Sequence, residues 1–116
     1  MSVTRFPYEG LGRCEAVVSG GLVYAVSTDP ICATGILAQT KNALDELDRI
    51  LVNAGSGKRG LLRVTVYLKD VTQKADMDTI WIDWIGPEEN WPQRACVGVQ
   101  LDEGCLIEIV ATAKTL

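Results

Sequence analysis

The chain has 116 residues, 47% of them hydrophobic and 22% charged, with a net charge of −4. That is enough for one hydrophobic core but not two, and it excludes a disordered chain; the whole sequence reads as a single domain, residues 1–116. No apolar run approaches a membrane helix, and the start M-S-V-T-R-F-P-Y-E lacks the apolar centre of a secretory signal, so a cytoplasmic protein with no membrane partner is expected.

Histidine is absent and the four cysteines (Cys14, Cys32, Cys96, Cys105) form no C-x-x-C pair. They read as reduced thiols, and no metal site is expected. Without imidazole there is no Ser-His or Cys-His nucleophile, so any chemistry rests on carboxylates, Arg, Lys, Tyr, Cys or backbone groups. Lys and Arg are dispersed without a basic stripe, which argues against nucleic acid as a partner.

In chain order, Ala16–Ser27 reads as two strands split by Ser19-Gly20-Gly21, a hairpin signal. From Ala33 to Gly55 the period becomes helical. Ile36, Leu37, Thr40, Leu44, Leu47, Ile50, Leu51 and Ala54 make one stripe, with Gln39, Lys41, Asp45, Asp48 and Arg49 opposite. Thr34 is the expected N-cap, Gly55 the left-handed stop, and Lys41/Asp45 and Asp45/Arg49 stand at ion-pair spacing. Leu61–Lys69 alternates as a strand, Leu62, Val64, Val66 and Leu68 against Arg63, Thr65, Tyr67 and Lys69. A second helix from about Thr72 to Ile85 shares Met77, Ile80, Trp81, Trp84 and Ile85 on one face and stops at Gly86-Pro87. Arg94–Leu101 and Leu106–Ala113 then read as two strands around an Asp102-Glu103-Gly104 turn.

The order β-β-α-β-α-β-β predicts an α+β fold with both helices on one sheet face. The other face would carry Arg94, Cys96, Gly98 and Gln100 beside Leu106, Glu108, Val110 and Thr112. That mixture points to a subunit interface with functional groups at the seam.

If the last two strands pair, Gly98 lies opposite Glu108, and Arg94 stands about 13 Å further along at ~3.3 Å per residue. Arg94 and Glu108 then close a small cleft floored by Cys96 and Gly98. A guanidinium fork binds a carboxylate with two hydrogen bonds, and a glutamate in a partly desolvated cleft can pass protons to and from water. Pattern alone leaves open that the two merely form an ion pair. Cys96 reads as a wall rather than a nucleophile, since Arg94 is the one evident source of positive charge near it.

Pro92-Gln-Arg-Ala-Cys-Val-Gly-Val followed by Cys105-Leu-Ile-Glu-Ile-Val-Ala resembles the C-terminal signature of the RidA (YjgF-type) enamine/imine deaminase family. Ile36–Ser56, with its Gln39-Thr40 and Ala54-Gly55-Ser56 landmarks, is similar to the family's long helix, and Val64–Asp70 to the strand after it. The resemblance implies a chorismate-mutase-like mixed sheet, a homotrimer with clefts at its interfaces, and cofactor-free hydrolysis of small carboxylate-bearing enamines or imines to keto acids and ammonia. It assigns carboxylate binding to Arg94, a pocket-lining place to Cys96 and water activation to Glu108.

Three positions depart from the family pattern. Arg13 stands where an aromatic residue is usual, Val26-Ser27 replaces Ser-Gly, and Asp78 replaces asparagine. Arg13, Ser27 and Asp78 are therefore candidate substrate contacts that would shift preference, Arg13 as a second anion-binding group; the alternatives are a surface charge, a strand-end turn residue and a solvated helix residue. A non-catalytic trimer that binds a small carboxylate for regulation is the alternative function. The enzymatic reading requires that Arg94 is not both paired within its own chain and closed off from open space.

Overall fold

The computed structural model describes residues 2–116. Six strands form one mixed sheet: β1 (Thr4–Pro7), β2 (Cys14–Ser19), β3 (Leu22–Thr28), β4 (Leu61–Leu68), β5 (Gln93–Gly98) and β6 (Ile107–Lys114), in the spatial order β1-β2-β3-β6-β4-β5. Helices α1 (Ile36–Asn53) and α2 (Lys74–Ile85) connect β3 to β4 and β4 to β5. The expected α+β order is present, with β1 added ahead of it.

The β2–β3 hairpin closes through Gly20 and Gly21 at φ 60° and 78°, the doubly positive geometry that matches strand twist and that residues with a Cβ resist. Helix α1 packs on β3 and β6, and its Leu44, Leu47 and Leu51 share one core with Val23 of β3, Val64 and Val66 of β4 and Ile107 and Ile109 of β6, all nearly inaccessible to water. α2 adds Met77, Trp81 and Ile85. Each Leu buried in this layer contributes roughly 1.5–3 kcal/mol.

Several expectations change at the helix ends and faces. Gly35, not Thr34, is the N-cap of α1, without a side-chain bond, whereas Gly55 is left-handed at φ 88° as expected. Leu37 points to solvent. Lys41 pairs with Asp45 at 2.7 Å, but Arg49 turns to Glu46 and to Glu15 of β2, tying the helix to the sheet. Helix α2 begins at Lys74 after a 3₁₀ turn over Val71–Gln73. In β4 a register shift between Leu61 and Arg63 buries Leu61 and exposes Leu62, inverting the expected parity there.

The largest correction concerns the last two strands, which do not pair. β5 lies parallel to β4 after the α2 crossover, and β6 lies antiparallel to β4 on its other side. A parallel neighbour requires such a crossover. β5 and β6 therefore sit two strand spacings apart, about 10 Å, too far for a tight turn. Residues 99–106 bridge that gap across the end of β4, held by Val99 N–H to Leu68 and Lys69 N–H to Leu106. Asp102–Gly104 does turn, with Cys105 N–H on the Asp102 carbonyl and Gly104 at φ 82°, but it redirects a crossing loop.

Gln39 secures this loop. Its side chain, expected in solvent, is 2% exposed; Nε2 donates to Ala33 and Gly104 carbonyls at 2.8 Å and Oε1 accepts from Leu106 N–H at 2.9 Å. Both donors and the acceptor are used, so burial carries no penalty.

Candidate functional site

Pairing with β4 decides where Arg94 points. Arg94 is level with Val64 and Cys96 with Val66, so both share the helix-covered face instead of the open one. Arg94 lies at the outer edge, where β5 has no further neighbour among the described residues, and its side chain is 17% exposed. The guanidinium lies over the Trp81 ring, 5.2 Å from its centroid, and Nη1 faces Met77 Sδ at 3.9 Å. Nη2 makes an ion pair with Asp78 Oδ1 at 2.7 Å, and Asp78 also accepts from Lys74 Nζ at 2.6 Å. Burial alone would raise the Asp78 carboxyl, but Lys74 and Arg94 outweigh it and hold it below its ordinary value. Asp78 is therefore not a solvated helix residue.

Open space remains in front of this group. A recess of about 270 Å³ is lined by Trp81, Ile82, Ile85 and Trp91 with Arg94 and Asp78. The condition that would have removed the enzymatic reading is thus met in its first half and not in its second. Cys96 does not line the recess but packs on the core; burial pushes its thiol up against the pull of Arg94 and Lys74, which leaves it a poor nucleophile. Gly98 backs onto Val71, where an added Cβ would come within 3.0 Å, so it floors no cleft shared with Glu108.

Glu108 stands on the opposite face of the sheet. It is level with Thr28 on β3 and Tyr67 on β4, the three forming one row on the open face. A cleft of about 400 Å³ beside it is lined by Tyr8, Arg13, Thr28, Cys32 and Cys105 among others. Arg13 lies over the Tyr8 ring at 5.0 Å, so the cation and an aromatic residue occupy this corner together. Ser27 meets the cleft while its buried hydroxyl donates to the Ala43 carbonyl at 3.1 Å, which commits its Oγ to α1. The loop after Ser27 is fixed by Asp29, whose carboxylate accepts from Ile31 and Ala33 N–H at 2.8 Å and from Asn42. Burial raises that carboxyl, and these bonds together bring it below its ordinary value. Cys105, a thiol pushed up by burial, donates to the Ile107 carbonyl at 3.3 Å.

The six expected site residues therefore form two groups. Arg94, Asp78 and Cys96 lie under α2 at the β5 edge; Arg13, Ser27 and Glu108 lie about the open-face cleft. One chain does not bring Arg94 and Glu108 into one cleft, because the parity argument assumed a hairpin that does not form. Thr28 and Tyr67 beside Glu108, and Trp91 beside Arg94, went unremarked as site residues; the Tyr67 parity in the alternating strand was the available signal. Among the described residues no group of three or more Cys, Asp or Glu is placed to hold a metal ion, and all four cysteines are free.

The family model described as Endoribonuclease L-PSP matches residues 13–115. The chain belongs to the YjgF/RidA family. It is 30% identical over 101 residues to a RutC family protein of Haemophilus ducreyi, covering 85% of this chain and 86% of that one. A RutC family protein of Pyrococcus abyssi is 34% identical over 97 residues, 83% of this chain and 75% of the relative. The crystal structure of a YjgF family member from Neisseria meningitidis superposes with a TM-score of 0.91 at 29% identity, covering 100% of this chain and 97% of that one. A family member from Mycobacterium tuberculosis gives 0.87 at 25% identity, with 98% and 100% covered. The mixed sheet with two helices on one face is the architecture of this family. No helix among the described residues is long and apolar enough to cross a membrane.

Proposed function

We propose that this protein is a cytoplasmic homotrimeric hydrolase that converts small carboxylate-bearing imines and enamines to keto acids and ammonia. The observation that carries the reading is the charge balance at the β5 edge. Lys74 and Arg94 face one carboxylate, Asp78, so one positive charge remains beside an open, apolar-walled recess. A guanidinium has five N–H donors, and a substrate carboxylate can take those that Asp78 leaves. Glu108 lies across the sheet, so the proposed site is shared: Arg94 from one copy, Glu108 with Thr28 and Tyr67 from the next. The open face supports association, because Tyr24, Val26, Val97 and Val110 leave apolar surface uncovered on it.

The chemistry asks little of the protein. A protonated imine carbon is already electrophilic. Glu108 takes a proton from water as the oxygen bonds to that carbon, and the C=N π pair moves to nitrogen. Glu108 then gives that proton to the carbinolamine nitrogen, the C–N bond breaks with its electron pair leaving on ammonia, and the hydroxyl proton passes back to the Glu108 carboxylate as the C=O of the keto acid forms; water is the only co-reactant. Arg13, in the Glu108 cleft, is the second anion-binding group of this scheme. The name endoribonuclease carried by the family model fits this chain less well: Arg13 shares its cleft with Glu46, Asp102, Glu103 and Glu108, which repel a phosphodiester backbone.

The alternative, a regulatory carboxylate binder, is favoured by the placement of Arg94 and Glu108 on opposite faces of the sheet, which leaves the anchor without that proton carrier in its own chain. Generating 2-iminopropionate with an amino-acid oxidase and following pyruvate release separates the two. Release faster than in buffer is expected of the hydrolase; no acceleration together with saturable pyruvate binding is the binder's result.

A further inference from the structure

The recess at the β5 edge is unusual for a site that would receive only a very small metabolite. Apart from Arg94 and Asp78 its walls are Trp81, Ile82, Ile85 and Trp91. Two of these are left out of the core: Trp91 is 61% exposed and Ile82 66% exposed. Trp91 is nevertheless fixed. Its Nε1 donates to the Gly86 carbonyl at 3.0 Å, its backbone N–H to Glu88, and the neighbouring Asn90 amide to Ile85, all at the C-terminal end of α2. With its one polar atom turned inward, the indole presents only apolar surface to the recess. Opposite it, Trp81 is held beneath the Arg94 guanidinium. A rigid aromatic wall that is neither buried nor hydrated favourably is stabilised by an apolar ligand group, and the one cation at the rim fixes where that ligand's charge must be.

We infer that this recess selects carboxylates carrying a large apolar or aromatic arm, the carboxylate on Arg94 and the arm between Trp91, Ile82 and Trp81. The inference rests on the proposed role of Arg94 as carboxylate anchor and names the substrate class for that site: 2-imino acids derived from aromatic or bulky aliphatic amino acids in preference to 2-iminopropionate.

Calorimetric titration of the full-length protein with phenylpyruvate and with pyruvate tests it. Phenylpyruvate is expected to bind about tenfold more tightly, the effect of one well-placed aromatic contact. Trp91→Ala is expected to remove that advantage and leave pyruvate affinity within about twofold, and Ile82→Ala, at an exposed position where folding is not at risk, to weaken phenylpyruvate alone by a few-fold. Equal affinities for the two keto acids in the wild-type protein overturn the inference. So does a Trp91→Ala loss that is the same for both ligands or accompanied by dissociation of the oligomer, since Trp91 would then serve assembly. If pyruvate binds and 2-iminopropionate is turned over while phenylpyruvate gains nothing, only the arm selection fails. If neither keto acid binds and no imine is hydrolysed, the anchor role of Arg94 fails with it.

Discussion

The recess at the β5 edge and the cleft on the open face differ in chemistry, and under the proposed function they divide the labour of one site between them. The recess has a cation set into apolar walls, with its counter-charge supplied by one aspartate. The cleft has a glutamate in a row with a threonine and a tyrosine, near thiols and a single arginine. The first suits binding, because a guanidinium over an indole in a partly dry setting would grip a carboxylate more strongly than in water. The second can move protons. A sheet separates them within one chain, so under the proposed function each copy contributes to two different sites rather than holding one whole site.

Breaking either half should have a distinct signature. Arg94→Ala is expected to lower kcat/KM by about 10³-fold, the effect of losing two charge-assisted bonds, with the oligomer intact by light scattering. Glu108→Gln should lower kcat by roughly 10²-fold with KM within about twofold, since a group acting on water contributes mainly in the transition state. Gln39→Ala sharpens the comparison from the scaffold side. It leaves the Gly104 carbonyl and Leu106 N–H without a partner and should cost about 2–3 kcal/mol in denaturant unfolding, loosening the loop that leads to Glu108 and not the Arg94 recess.

Asp78→Asn is the smallest change. It frees Arg94 from its internal carboxylate, so KM for carboxylate substrates should fall a few-fold. It also removes an interaction whose pH dependence has a definite sign. Asp78 is held below its ordinary value of 3.8, so its contribution to stability is fully present above that value and is lost as pH falls through the lower folded-state value. Thermal melts should show wild type more stable than Asp78→Asn at pH 7, with the gap closing below about pH 4.

What the sequence revealed follows from what periodicity can encode. The stripe Leu44, Leu47, Ile50, Leu51 and the alternation Val64, Val66, Leu68 each specify an element and a buried face without reference to anything distant. The partner of a strand is not encoded that way. Leu106–Ala113 alternates equally well beside β5 or between β3 and β4, and the choice fixed the face of Arg94. The glycine-bearing turn at 102–104 was real and misread, because it lies within a crossing loop. Gln39 was missed because an amide reads as polar until its three partners are known. β1 is too short, and too interrupted by Pro7, to show a period. Arg94, Glu108 and Asp78 were legible as candidate site positions; that they belong to two faces of the sheet was not, and a site that used both Arg94 and Glu108 would need a second copy.

Mixing the two dead variants measures this most directly. Arg94→Ala and Glu108→Gln subunits, unfolded together and reassembled, should recover about a quarter of wild-type imine hydrolysis, because about one interface in four then joins an intact Arg94 to an intact Glu108 from different copies. Recovery that stays at the level of the separate variants, in preparations where mass spectrometry shows mixed oligomers, would contradict a site assembled across the interface.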